Sequence, residues 1–140
     1  MSISIRNQIS GTVTGITSGE AISTVKIRLV AGQEVTAAVT TEAIRDLGIT
    51  DGSQVRILVK STEVALAVNA VSGLSIRNQI PGTVTGIEQG GAMAVVKVAI
   101  EGGDQITAAI TKAAATDLGL AQGSAVTVLI KSTEIAIAGV

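Results

Sequence analysis

The chain has no cysteine, no histidine and no aromatic residue among its 140 positions. Each absence excludes something. Without cysteine there is no disulfide framework and no thiolate to attack a substrate or hold a metal. Without histidine, the commonest general base and the commonest transition-metal ligand are both gone. Without Phe, Tyr or Trp, a single-stranded nucleic acid finds no ring to stack on. Proline occurs once, as Pro81. No apolar run approaches the roughly 20 residues that span a bilayer. The start, Met1 to Arg6, lacks the basic and apolar regions of a signal peptide. The formal net charge is −1, so nothing steers the whole molecule towards nucleic acid or an anionic membrane. There is no Gly-x-Ser-x-Gly elbow and no Gly-x-x-x-x-Gly-Lys-Ser/Thr phosphate loop. Together these absences predict a cytoplasmic protein that is not an enzyme, with no membrane or nucleic-acid partner and no metal bound directly by side chains.

What is present is apolar and written twice. Hydrophobic residues make up 46% of the chain, drawn from Val, Ile, Leu, Ala and two Met. Val and Ile are stiff at χ1 and pack well on a pleated surface. The stretch Ser4-Ile5-Arg6-Asn7-Gln8-Ile9 returns unchanged as Ser75-Ile76-Arg77-Asn78-Gln79-Ile80, 71 positions later. The same offset carries Thr40 onto Thr111, Gly52 onto Gly123 and Lys60 onto Lys131. A repeat without insertion or deletion defines two units, 1–68 and 74–140, joined by a linker at 69–73.

Within each unit the apolar period is that of strands, with one interruption. In the first unit, residues 3–16 read as a long strand in which Gly11 and Gly15 mark a bulge or bend. Strands follow over 21–30 and 34–40. The period then changes over Thr40-Thr41-Glu42-Ala43-Ile44-Arg45-Asp46-Leu47-Gly48. Thr40 is placed to cap a short helix and Gly48 to stop it. Strands over 55–60 and 63–68 complete the unit. The fold class expected is all-β: two tandem OB-like five-stranded Greek-key barrels, each with one short helix between its third and fourth strands.

Few polar residues stand in both units. They include Ser4, Arg6, Asn7, Gln8, Thr40, Lys60, Ser61, Thr62 and Glu63, with their partners 71 positions on. The shared basic positions are Arg6/Arg77, Lys26/Lys97 and Lys60/Lys131. Lys26 and Lys97 alternate with apolar residues and read as a solvated strand face. Asn7, Gln8 and their counterparts read as partners for backbone groups. Arg6 and Arg77 could alternatively pair with Glu63 and Glu134, and Lys60 and Lys131 could simply end exposed strands. Read together, however, the cations, the hydroxyls and a helix start are the parts of an oxyanion site. A pocket of donors alone disfavours hydrogen phosphate, whose proton needs an acceptor; an unmade hydrogen bond costs roughly 1–3 kcal/mol. It suits bare dianions such as sulfate, molybdate or tungstate.

Three motifs then carry a family resemblance, each present twice. Ser-Ile-Arg-Asn-Gln-Ile resembles the Ser-Ala-Arg-Asn-Gln start of the molbindins, the Mop domains also classed as TOBE domains. Val39-Thr40-Thr41-Glu42-Ala43 to Leu47-Gly48-Ile49 resembles their Ile-Thr-x-x-Ser/Ala…Leu-Gly-Leu segment. Val59-Lys60-Ser61-Thr62-Glu63-Val64 resembles their Ile-Lys-Ala-Ser/Thr-x-Val. The resemblance implies a di-molbindin that binds molybdate or tungstate between domains, for storage or homeostasis of the anion. Its subunits would associate with themselves, as a trimer forming a six-domain ring. The alternative is a stand-alone sensing module that acts through a protein partner. The residues implied are Ser4, Arg6, Lys60 and Ser61 from one domain, with Thr40 and Ala43 from a neighbour. The second set is Ser75, Arg77, Lys131 and Ser132, with Thr111 and Ala114. Three departures stand out. Ser61 and Ser132 replace a usual alanine. Ala43 and Ala114 replace a common serine, leaving only a backbone N–H. The family's Asn in the Gly-Ala-Val-Asn-Ala-Glu-Val run is absent from residues 19–25 and 90–96.

Overall fold

The computed structural model describes residues 2–140. The first repeat forms β1 (Asn7–Thr17), β2 (Ile22–Arg28), β3 (Glu34–Thr40), α1 (Thr41–Leu47), β4 (Gln54–Val59) and β5 (Ala65–Ala67). The second forms β6 (Asn78–Gln89), β7 (Met93–Ile100), β8 (Gln105–Thr111), α2 (Lys112–Asp117), β9 (Ala125–Ile130) and β10 (Ala136–Gly139). A single 3-10 turn, Ser61–Glu63 or Ser132–Glu134, precedes each last strand.

The helix in the first repeat is bounded as its residues dictate. Thr40 is extended (φ −66°, ψ 145°) and its side chain accepts from the Ala43 N–H. Gly48 ends the helix at φ 64°, a left-handed conformation that glycine adopts without a Cβ penalty. The first strand starts later than its sequence pattern suggests, at Asn7 rather than residue 3. The cause is local: the Arg6 guanidinium donates to the Ser4 carbonyl (Nε, 3.2 Å) and the Ile3 carbonyl (Nη2, 2.9 Å). Those bonds fold the arm back on itself instead of extending it along a neighbour. The two strand glycines have separate uses. A register shift lies between Val13 and Gly15, a bulge that bends β1. At Gly11 a Cβ would collide with the Ile27 side chain and lie 3.1 Å from the Arg28 carbonyl, so β1 and β2 approach too closely there for any side chain.

All strand pairs are antiparallel, and the sheets run β10-β4-β1-β2-β3 and β5-β9-β6-β7-β8. The last strand of each repeat therefore belongs to the other repeat's sheet. Ala136–Gly139 of β10 pairs with Val55–Leu58 of β4. Ala65–Ala67 of β5 pairs with Thr127–Leu129 of β9. The second sheet is thus continuous in sequence, from β5 to β9, while the first is completed by the C-terminal strand. The 1–68 and 74–140 repeats and the two sheets are offset by one strand. Buried Ile9, Val25 and Ile27 of the first repeat and Ile80, Val96 and Val98 of the second form one continuous apolar cluster.

Two asparagines tie the sheets together. Asn7 is 2% exposed; its Nδ2 donates to the Thr107 carbonyl at 2.9 Å and its Oδ1 accepts the Thr107 N–H at 2.7 Å. Asn78, also 2% exposed, does the same with Thr36, at 2.8 Å each way, and additionally donates to the Ile130 carbonyl at 3.0 Å. Thr36 and Thr107 lie on β3 and β8, the outer strands of their sheets, which have main-chain groups no sheet neighbour takes. Each amide satisfies one donor and one acceptor of the opposite edge. Replacing Asn7 by Ala would leave both Thr107 groups unpaired in a half-buried setting, where partial access of water holds the cost to about 1–2 kcal/mol per group. Chemical denaturation of Asn7→Ala should therefore show a loss of about 2–4 kcal/mol. The Gln8→Ala control, which removes a bond to the near Ile5 carbonyl, should lose under about 1 kcal/mol.

Candidate oxyanion site

Register on β1 and β4 builds the first half of the site. Asn7 pairs with Val59, so the residues just outside that pair, Arg6 and Lys60, leave the sheet side by side. The second repeat repeats this with Asn78 opposite Ile130, and hence Arg77 beside Lys131. Lys60 is extended (φ −67°, ψ 140°) and leads directly into the 3-10 turn. A turn of that kind leaves its first N–H groups outside its own hydrogen bonds. Ser4, Lys60, Ser61 and Thr62 line one surface cavity of about 460 Å³ together with Ile3 and Ile5. No carboxylate is among its lining residues.

Arg6 does not itself line this cavity but is tied to two residues that do, by its bonds to the Ser4 and Ile3 carbonyls. Those use two of the five guanidinium N–H groups and leave three free to donate. It does not pair with Glu63: among the described residues the ion pair formed is Lys26–Glu34, at 3.9 Å and more than half exposed on both sides. Lys26 is accordingly a solvated strand residue. In the second repeat, Ser132 lies 3.4 Å from the Asn78 Nδ2, which joins that hydroxyl to the buried amide holding the sheets together.

Thr40 and Ala43 are elsewhere. They line an apolar groove of about 520 Å³ with Ile22, Ile44, Leu47 and, from the second repeat, Thr133, Ile135 and Ile137. The exchanged β10 accounts for this, since it brings the second repeat's 3-10 turn against β3. Within one chain, then, Ser4, Arg6, Lys60 and Ser61 come together, and Thr40 and Ala43 face a separate opening. The Ala43 and Ala114 N–H groups are already engaged by the Thr40 and Thr111 hydroxyls, at 3.1 Å each. The threonine hydroxyl accepts in that bond, so its own proton is free to be donated outward.

Two contributors escaped the sequence reading. Thr62 stood in a duplicated motif but was not singled out as a site residue, although it lines the first cavity. Thr133 beside Thr40 could not have been anticipated without the strand exchange. Among the described residues no three of His, Cys, Asp and Glu cluster as metal ligands would, and no helix is long and apolar enough to cross a membrane.

The chain resembles known proteins along its whole length. A crystal structure described as the cytoplasmic molybdate-binding protein ModG, with molybdate bound, superposes with a TM-score of 0.95 at 39% identity, covering 100% of this chain and 99% of that one. The molybdenum transport protein ModE of Azotobacter vinelandii is 36% identical over 138 residues, covering 99% of this chain and 51% of that protein. The molybdenum-pterin-binding protein MopB of Rhodobacter capsulatus is 35% identical over 136 residues, covering 96% of this chain and 50% of its own length. The chain thus spans about half the length of the curated relatives it matches. The TOBE domain model matches twice, at residues 3–66 and 74–137. With both repeats matched and its tandem OB-like fold shared end to end with ModG, the chain belongs to the TOBE domain family.

Proposed function

We propose that this protein binds molybdate, and tungstate with it, as an intracellular store of the anion, and that it carries out no reaction on what it binds. The observation that carries the reading is the duplicated register that sets Arg6 opposite Lys60, and Arg77 opposite Lys131, with a hydroxyl-lined, acid-free cavity at Lys60 in the first repeat. It occurs in a chain superposable throughout on a molybdate-bound protein. Two cations balance a dianion, and serine and threonine hydroxyls add neutral donors around its tetrahedral face. With no carboxylate lining the first cavity, hydrogen phosphate would find no charged acceptor for its proton, only hydroxyls that a bare dianion would use as donors.

The site is completed, in this reading, between subunits. Arg6 and Lys60 offer charge and Ser4 and Ser61 hydroxyls, while the Thr40 hydroxyl of a neighbouring domain, oriented by its bond from the Ala43 N–H, offers the remaining polar edge. Ser75, Arg77, Lys131 and Ser132 do the same with Thr111 and Ala114. The apolar groove beside Thr40, with Ile22 55% and Leu47 47% exposed, is a surface that association would cover. The reading includes a homotrimer forming a six-domain ring, as the family resemblance implies, and a cytoplasmic location like that of ModG. The match to only half of each longer ModE or Mop relative supports a second reading, a sensing module working through a partner protein. Recovery from cells as a homo-oligomer carrying Mo or W favours storage; a stable complex with a different protein favours sensing.

Titration calorimetry with molybdate tests the central claim. Arg6→Ala with Arg77→Ala removes one charge from each site, and a lost charge-assisted bond of about 1.5–3 kcal/mol corresponds to at least about tenfold weaker binding. An unchanged Kd would remove the arginines from the site. Lys60→Ala with Lys131→Ala should weaken binding similarly and leave the unfolding midpoint nearly unmoved, because both lysines are exposed. In competition dialysis, phosphate at neutral pH should displace molybdate far less well than tungstate does.

A further inference from the structure

The two repeats are close copies where they are buried, but their helix shoulders differ in charge. In the first repeat a cleft of about 380 Å³ is lined by Glu20, Ala21, Thr40, Thr41, Glu42 and Arg45. The second repeat has the corresponding cleft, lined by Gly91, Ala92, Lys112, Ala113, Thr116 and Asp117. Position by position, Glu20 becomes Gly91, Thr41 becomes Lys112, Glu42 becomes Ala113 and Arg45 becomes Thr116. Asp46 and Asp117 stand in both repeats, but Asp117 lines the second cleft and Asp46 does not line the first. The residues lining the first cleft carry a net −1, from Glu20, Glu42 and Arg45, and those lining the second a net zero, from Lys112 and Asp117. One unit of net charge therefore separates the two clefts, and the second is the roomier, at about 530 Å³.

The hydrogen bonds diverge at the same place. In the first repeat the Thr41 hydroxyl donates to the Gly19 carbonyl at 2.8 Å and lies 2.8 Å from the Ser23 hydroxyl. That network pins residue 41 to the preceding turn. The second repeat has Lys112 and Ala94 at these positions, so no hydroxyl pair forms. Lys112 is exposed, makes no ion pair among the described residues, and projects its charge into the cleft.

We infer that the two anion sites of each chain are unequal, the one using Thr111 being the tighter because Lys112 is a further anion-attracting residue there. The one using Thr40 is weakened by Glu20 and Glu42. This rests on the oxyanion reading above and adds an order of filling to it. The second-repeat site loads at low anion concentration and the first-repeat site serves as overflow. A dianion feels each unit charge twice over compared with a monovalent ion. All four charged groups are exposed, so solvent and salt moderate the effect. The expected separation is about three- to tenfold in Kd at low ionic strength, shrinking as salt is raised.

The test exchanges each residue for its counterpart in the other repeat. Molybdate titration of the intact protein, at about 20 mM salt and again near 0.5 M where screening lengths are short, should resolve two affinity classes that converge at high salt. Lys112→Thr should weaken only the tighter class, by about threefold, and Glu42→Ala should tighten only the weaker one. Neither variant touches a buried side chain, and circular dichroism will verify that each is folded. A single affinity class unaffected by either variant overturns the inequality and leaves the oxyanion reading standing. Variants that shift both classes equally also overturn it, since the charge would then act on no particular site. No molybdate uptake at any salt overturns the oxyanion reading and this inference with it.

Discussion

The structure depends on two buried amides facing two outer strands. Asn7 and Asn78 each give a donor and an acceptor to the main chain of the opposite sheet, at Thr107 and Thr36. A side-chain amide can do this because its carbonyl and NH2 lie in one plane, spaced to match the N–H and C=O of an extended residue. A strand at the edge of a sheet would otherwise offer these groups to any passing chain. The exchanged strands β5 and β10 join the sheets from the other side, through β9 and β4. The two halves thus meet in one apolar cluster. That answers the size problem posed by units of about seventy residues, which alone have little core to set against chain entropy.

The candidate site inherits its shape from the same residues. Asn7 opposite Val59 is the last pair of the β1–β4 ladder, and the cations flank that pair. Asn7 is fixed by two short hydrogen bonds, and just before it the Arg6 bonds fold the arm back at Ile3 to Ser4. Lys60 turns out of the sheet into the 3-10 turn whose last residues lead to the exchanged strand. Strand exchange and cation placement are therefore two consequences of one corner. The same corner sets the opposite repeat's 3-10 turn against β3 and β8, which is why Thr133 lines the groove that holds Thr40.

Much of this was legible in the residues, and the part that was not has a physical reason. The Thr40 cap, the Gly48 stop and the third strand at 34–40 were readable because caps, left-handed glycines and two-residue alternation are local signals. The start of β1 was misplaced because Ile3 and Ile5 extend the alternation, while the Arg6 bonds that break it involve carbonyls that sequence does not display. The strand exchange was illegible for a stronger reason. β5 reads Ala-Leu-Ala and β10 reads Ala-Ile-Ala-Gly, so each satisfies either sheet equally well, and no pattern of side chains distinguishes a strand that closes its own barrel from one that closes its twin's. The site residues within one repeat were readable as a duplicated set. Their division between two domains was implied by the family resemblance alone; the contact of Thr133 with the Thr40 groove depended on the exchange and was not legible.

The two repeats also act as an internal comparison, because both fold in the same surroundings. Buried differences are compensated. Ile44 is half-buried over the apolar groove, whereas its counterpart Ala115 is 1% exposed and packed inside. Exposed differences are not compensated in this way, since water and counter-ions accept any charge at little cost. The identical Ser-Ile-Arg-Asn-Gln-Ile arms fall in neither group. Arg6 and Arg77 are exposed, and packing alone would accept many residues there, yet both arms keep arginine next to a buried asparagine and across from lysine. A fold requires the asparagine. It does not require two cations held together at the end of a ladder, where their mutual repulsion is a cost. An anion between them turns that cost into attraction, and this is the simplest physical account of why the same corner is written twice.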